Sequence, residues 1–153
     1  MKTLIYGGRV IDPANRVDGM LNLLIEDGKI LWAGKDKPAA DKTIDATGKI
    51  VTPGFIDLHI HGYLGKDVCD ANVESIRTIA GGIIENGVTG FLPTTMTVDM
   101  SVINGALNAC REVKNSGEYY GSQILGVHAE GPFISASKKG AQDERFILKP
   151  DAD

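Results

Sequence analysis

His59 and His61 stand two residues apart in the stretch PGFIDLHIHG, and Glu130 closes the stretch GVHAE before Gly131. Residues two apart on a strand share a face, so the two imidazoles leave the backbone about 6.5–7 Å apart, twice the rise per residue. Two ring nitrogens can converge on one metal ion from that spacing. A carboxylate at the same height of one sheet would complete a mixed N/O set suited to zinc or iron. The ordinary alternative is two histidines bonded to their neighbours and a solvated loop acid. It loses ground because both strand ends carry ligand-type residues immediately before a glycine, Gly62 and Gly131.

Other polar residues nearby are less diagnostic. Asp57 and His128 lie a layer deeper on their strands, where they would support the ligands rather than join them. Thr94, Thr95 and Thr97 offer hydroxyls at the end of VTGFLPTTMT, while Lys138 and Lys139 read as a solvated loop. Cys69 has no paired base in sight, which argues against a nucleophile.

The elements that must position these residues follow from periodicity. Residues 1–52 form a first segment of short strands cut by glycine turns, read as a small antiparallel β unit. Asp27-Gly28 supplies the positive φ angles of a type I′ hairpin turn, and Gly48 marks a second turn. After Pro53 the rhythm changes to strand, helix, strand, helix, strand over residues 53–153. FIDLHIHG, VTGFLPTT and QILGVHAEG are the strands. The first helix shows an apolar stripe of Val73, Ile76, Ile79, Ala80, Ile83 and Ile84, with Asn72 as N-cap and Gly87 as its stop. The second turns Val102, Ile103, Ala106, Leu107, Ala109 and Cys110 inward. Such short connections imply right-handed crossovers and a parallel sheet, whose active sites form beyond the C-terminal strand ends. Three parallel strands leave both edges unpaired, which points to a piece of a larger, incomplete α/β fold.

The 153 residues carry a net charge of -4, and 42% are hydrophobic. That balance speaks against a nucleic-acid or anionic-membrane surface. No apolar run approaches the ~20 residues of a bilayer span, and MKTLIYGGRVIDP lacks the apolar core of a signal peptide. Two cysteines without a CxxC fit a reduced, cytoplasmic setting.

The motifs also carry a resemblance. TPGFIDLHIHG resembles the signature opening the barrel of metal-dependent amidohydrolases, and the segment before it resembles their small β-sandwich domain. GVTGFLPTT with GVHAEGPFISASKKGAQ is similar to the N-acetylglucosamine-6-phosphate deacetylase family. The resemblance runs from about Thr3 to Pro150. It implies the first three β/α units of a TIM barrel, preceded by the N-terminal strands of a β-sandwich. It implies metal-dependent hydrolysis of the acetamido group of N-acetylglucosamine 6-phosphate, giving glucosamine 6-phosphate and acetate, with one or two divalent ions, zinc or iron. Glu130 matches the family's metal-binding glutamate, and His59 and His61 match the first metal pair of the superfamily. Ala141 and Gln142 fall where the family contacts the sugar, although some members have His at the position of Gln142. The catalytic aspartate and further metal histidines would come from later strands, so the 153-residue chain alone is expected to be inactive. A homodimer is implied for the full enzyme. Another amidohydrolase of dihydroorotase or deaminase type, or a non-catalytic scaffold, are the rival readings that a substrate screen and metal content would separate.

Overall fold

Asp27 and Gly28 both adopt positive φ, 51° and 74°, so the chain makes the tight hairpin its sequence predicts. This turn joins β2 (Val17–Glu26) to β3 (Lys29–Gly34), and β2 pairs antiparallel with β1 (Lys2–Asp12). β4 (Lys42–Asp45) and β5 (Ile50–Val51) complete the sheet in a computed structural model that describes residues 1–151. Here the expected antiparallel unit needs correction. Both β4 and β5 run parallel to β1. The strand order is β3-β2-β1-β4, so the connection after β3 carries the chain across the sheet before it pairs. Asn22 fastens that connection. Its buried amide donates to the Lys35 and Asp36 carbonyls at 3.1 and 2.8 Å and accepts the Gly7 N–H at 3.0 Å. The unit formed by these strands runs Met1–Pro53, and a second compact unit begins at Gly54.

The second unit holds a three-stranded parallel sheet in the order β10-β9-β6. Its strands are β6 (Phe55–Ile60), β9 (Val88–Pro93) and β10 (Gln123–Ile124). Between β6 and the first helix lies a hairpin of β7 (Gly62–Tyr63) and β8 (Lys66–Asp67), turned by Leu64 and Gly65 at positive φ. That hairpin was not anticipated, because its strands are too short to show alternation. A Cβ added at Gly62 would lie 2.2 Å from the Lys66 carbonyl oxygen, so glycine after His61 is a packing requirement.

Helix α1 (Val73–Ile83) starts where Asn72 accepts the Ser75 N–H at 2.9 Å. It passes through a 3-10 turn and ends on Gly87 in the left-handed region. Helix α2 (Met100–Asn115) is capped by Asp99, whose carboxylate accepts from Ser101 N. Ile76, Ile79, Ala80 and Ile83 of α1 pack with Ala106, Ala109, Cys110 and Val113 of α2 around Phe91 of β9. Burial pushes the Cys110 thiol up to about 11, as expected of a structural cysteine.

The third strand departs from the expected length. Regular pairing covers only Gln123–Ile124, after which the chain continues beside β9 through Leu125 N to Phe91 O and His128 N to Pro93 O, both 3.0 Å. An isolated parallel bridge joins Thr94 to His128. From Leu125 to His128 this strand advances three residues while β9 advances two, from Phe91 to Pro93, so the residues up to Glu130 follow the sheet without forming a regular ladder.

Among the described residues, β6 and β10 each have one paired edge. Phe55, Ile56 and Leu58 on β6 are 62%, 58% and 62% exposed. An open parallel edge flanked by apolar side chains is a template for association. The 153-residue chain made alone is therefore expected to self-associate. Sedimentation velocity should show oligomers; a compact monomer at micromolar concentration would contradict this.

Candidate metal centre

Three strand ends meet where the sequence placed its ligand types. His59 is the last residue but one of β6, His61 follows the strand, and Glu130 lies beyond the bridge at His128. Each offers one ligand atom, and the three atoms lie within 4.8 Å of one another. His59 Nε2 and His61 Nε2 are 3.1 Å apart. The Glu130 Oε2 atom sits 2.9 Å from the first and 3.4 Å from the second.

The middle strand holds both neighbours in place. Thr94 is fully buried. Its hydroxyl accepts the Ile60 N–H and donates to the Leu92 carbonyl, each at 3.1 Å. Its own carbonyl faces His61 Nδ1 at 3.2 Å. A carbonyl can only accept, so Nδ1 carries the proton, and a neutral ring then turns the lone pair of Nε2 into the site. Thr95 does the same for the other side: its hydroxyl accepts the Glu130 N–H at 3.2 Å, and its N–H bonds the His128 carbonyl at 3.1 Å. The sequence marked these threonines only as hydrogen-bonding residues. Their place as a clamp between the two strands that carry the ligand candidates appears only once the strand order is known.

Asp57 and His128 both touch His59. The Asp57 carboxylate accepts the His59 N–H at 3.0 Å. The His128 ring stands edge-on to His59, with centroids 4.7 Å apart. Ala141 is exposed on the loop after Glu130, whereas Gln142 is buried. The Gln142 amide accepts the Thr97 N–H at 2.8 Å and donates to Glu130 Oε1. Beside them Asp143 caps a 3-10 turn over Glu144–Phe146. Hydrogen bonds from Arg145 hold the Asp143 carboxyl down at about 2. This exposed pair helps hold the turn in full above the ordinary carboxylate range, and that help is lost as pH falls through about 2. Cys69 accepts the Met96 N–H at 3.2 Å, and burial raises its thiol pKa, which agrees with its dismissal as a nucleophile.

A cation fits this arrangement. Two imidazole nitrogens and one carboxylate oxygen are the donor set of zinc and iron sites. Glu130 Oε2 is buried with no hydrogen-bond partner and has the two imidazole Nε2 atoms as its polar neighbours, so the three donor atoms face one another as a cation would require.

Gly131, the residue after Glu130, has no room for a side chain. It sits at φ +77°, and a Cβ there would fall 2.0 Å from the Thr97 hydroxyl oxygen. Gly131→Ala is expected to cost about 1–3 kcal/mol through the left-handed backbone alone, with the clash added to it. Thermal unfolding of the variant checks this, and an unchanged melting temperature would contradict the packing described.

Comparison with known proteins agrees with the geometry. Residues 42–101 match a model of the amidohydrolase family. The chain is 37% identical over 134 residues to the N-acetylglucosamine-6-phosphate deacetylase of Bacillus subtilis, covering 84% of this chain and 34% of that protein. It is 34% identical over 152 residues to the enzyme of that name from Lysinibacillus sphaericus, covering 99% and 39%. Among solved structures, that of the Pasteurella multocida N-acetylglucosamine-6-phosphate deacetylase superposes with a TM-score of 0.88 at 27% identity, over 99% of this chain and 40% of the other. The chain thus spans between a third and two fifths of the length of these relatives.

Proposed function

The chain belongs to the N-acetylglucosamine-6-phosphate deacetylases of the amidohydrolase superfamily, and from that membership we propose that it is the metal-binding amino-terminal part of such an enzyme. The observation that carries this reading is the convergence of His59, His61 and Glu130 at the C-terminal end of a parallel sheet. We read residues 53–153 as the first three β/α units of a TIM barrel, and residues 1–52 as strands of the β-sandwich domain that accompanies it.

In this proposal His59, His61 and Glu130 bind one or two divalent ions, zinc or iron. Such an ion supplies Lewis acidity toward the acetamido oxygen and makes a water nucleophilic near neutral pH. The residues here fix its position. The Thr94 carbonyl holds His61 in the tautomer that presents Nε2, and Thr95 holds the backbone of Glu130. Ala141 and Gln142 lie on the turn that faces the sugar. Glucosamine 6-phosphate and acetate are the products, and the proton that the leaving amine needs comes from a group outside these residues. The substrate is a small anion rather than a nucleic acid. No helix among the described residues is long and apolar enough to cross a membrane, and two free cysteines support a reducing cytoplasm as the setting. A homodimer is the proposed state of the full enzyme.

Acetate release from N-acetylglucosamine 6-phosphate, with zinc or iron added, tests the reading. The full natural chain should turn over this substrate in preference to dihydroorotate or nucleobases. The 153-residue chain alone should release no acetate. Turnover by the purified 153-residue chain would show that the essential groups all lie within it.

A further inference from the structure

Gln142 is 6% exposed, and every polar atom of its amide is engaged. Oε1 accepts the Thr97 N–H at 2.8 Å. Nε2 donates to Glu130 Oε1 and lies 3.7 Å from Met96 Sδ. The backbone is tied as well, with the Gln142 N–H on the Lys139 carbonyl at 3.1 Å and the Gln142 carbonyl accepting Lys139 Nζ at 3.1 Å. The consequence for Glu130 is a division of labour between its two oxygens. Oε1 is taken by an amide donor, while Oε2 alone faces His59 and His61.

We propose that Gln142 is a positioning residue for the metal centre: it anchors one oxygen of Glu130 so that the other is presented singly to the cation. The proposal rests on the reading of His59, His61 and Glu130 as ligands. Its physical basis is that a carboxylate on a loop has free torsions, and a cation gains less from a ligand that must be ordered on binding. A neutral amide is the right partner for this task. It donates a hydrogen bond without drawing off the negative charge that the ion needs, as a lysine or arginine would. Its other end is fixed to the Thr97 backbone, so the anchor is referenced to the segment that leaves β9, the same segment that faces His61 through the Thr94 carbonyl.

Outer partners of metal ligands change affinity by roughly 10–100-fold when removed. Zinc affinity of the full natural chain, measured by competition with a chromophoric chelator, provides the readout independently of turnover. Gln142→Met keeps the side chain's length and removes both hydrogen bonds. It is expected to weaken zinc about 10–100-fold while leaving circular dichroism unchanged. Gln142→His keeps an N–H donor and is expected to stay within about threefold of the parent, a small fraction of that loss. Equal weakening in both variants, or parent affinity in Gln142→Met, would overturn the proposal. A Gln142→Met chain that fails to fold leaves the His variant to decide, since weak binding by a folded His variant also overturns it. Glu130→Gln separates this proposal from the one beneath it. If that variant too binds zinc like the parent, the ligand assignment itself has failed.

Discussion

Glu130→Gln is expected to lower kcat/KM for acetate release by about three orders of magnitude or more, about 4 kcal/mol of transition-state stabilisation at 1.36 kcal/mol per tenfold. The substitution preserves shape, so the loss reports on charge and lone pairs. The side-chain carbonyl of the new residue can still accept from Gln142 where Oε1 does now. Its NH2 would then occupy the place of Oε2, 2.9 Å from His59 Nε2 and 3.4 Å from His61 Nε2. An amide donor there removes the anionic ligand and also caps the imidazole lone pairs, so the cation loses on two counts. His59→Asn should be milder. His59 is the most exposed of the three ligand candidates, so it is the one whose loss solvent can best offset. Steady-state kinetics with zinc or iron present measures both variants. Parental activity in Glu130→Gln would place the chemistry on other residues.

The second large effect is on stability. Phe91→Ala removes a fully buried ring from the strand that pairs on both sides, with β6 and with β10. Phe91 lies against the core formed by α1 and α2. Emptying a close-packed site of this kind costs about 3–5 kcal/mol, a large share of the roughly 5–15 kcal/mol that holds a domain together. Thr94 and Thr95 follow directly on β9, so loosening it should release both strands that carry the ligand candidates. Urea unfolding of the full natural chain should show a lower midpoint with an unchanged slope. A shift worth less than about 1 kcal/mol on the scale of core truncations would mean that the core is not where Phe91 places it.

The parts of this molecule that were legible in its sequence are those governed by local periodicity. The stripe from Ile76 to Ile83 and the Asn72 cap define α1 because a helix writes its buried face every three or four residues. The Asp27-Gly28 turn was legible because few residue pairs tolerate two positive φ angles. His59 and His61 could be paired on one face from the two-residue period alone. What stayed hidden depends on long-range pairing. The parallel alignment of β4 and β5 with β1 follows from a crossover that no local pattern encodes. β10 is shorter than its apolar run suggests because the step from Leu125 to His128 is one residue longer than the matching step on β9, a mismatch that only the distant strand reveals. Val113 joins the core one turn beyond the stripe read from α2. The threonines after β9 looked generic, because a hydroxyl acquires a role only from what the strand order sets beside it. Gln142 appeared in sequence as a neighbour of the sugar; its buried amide on Glu130 emerges only when the loop folds back onto β9.

The central claim is that His59, His61 and Glu130 together hold a divalent cation. Anomalous scattering at the zinc edge, from crystals of the full natural chain grown with zinc, tests it most directly. The expected result is a peak about 2.0–2.2 Å from His59 Nε2, His61 Nε2 or Glu130 Oε2, with the Glu130 oxygen among its ligands, and no such peak in Glu130→Gln crystals. A zinc ion bound elsewhere in the chain while these three side chains keep only one another for company would contradict it.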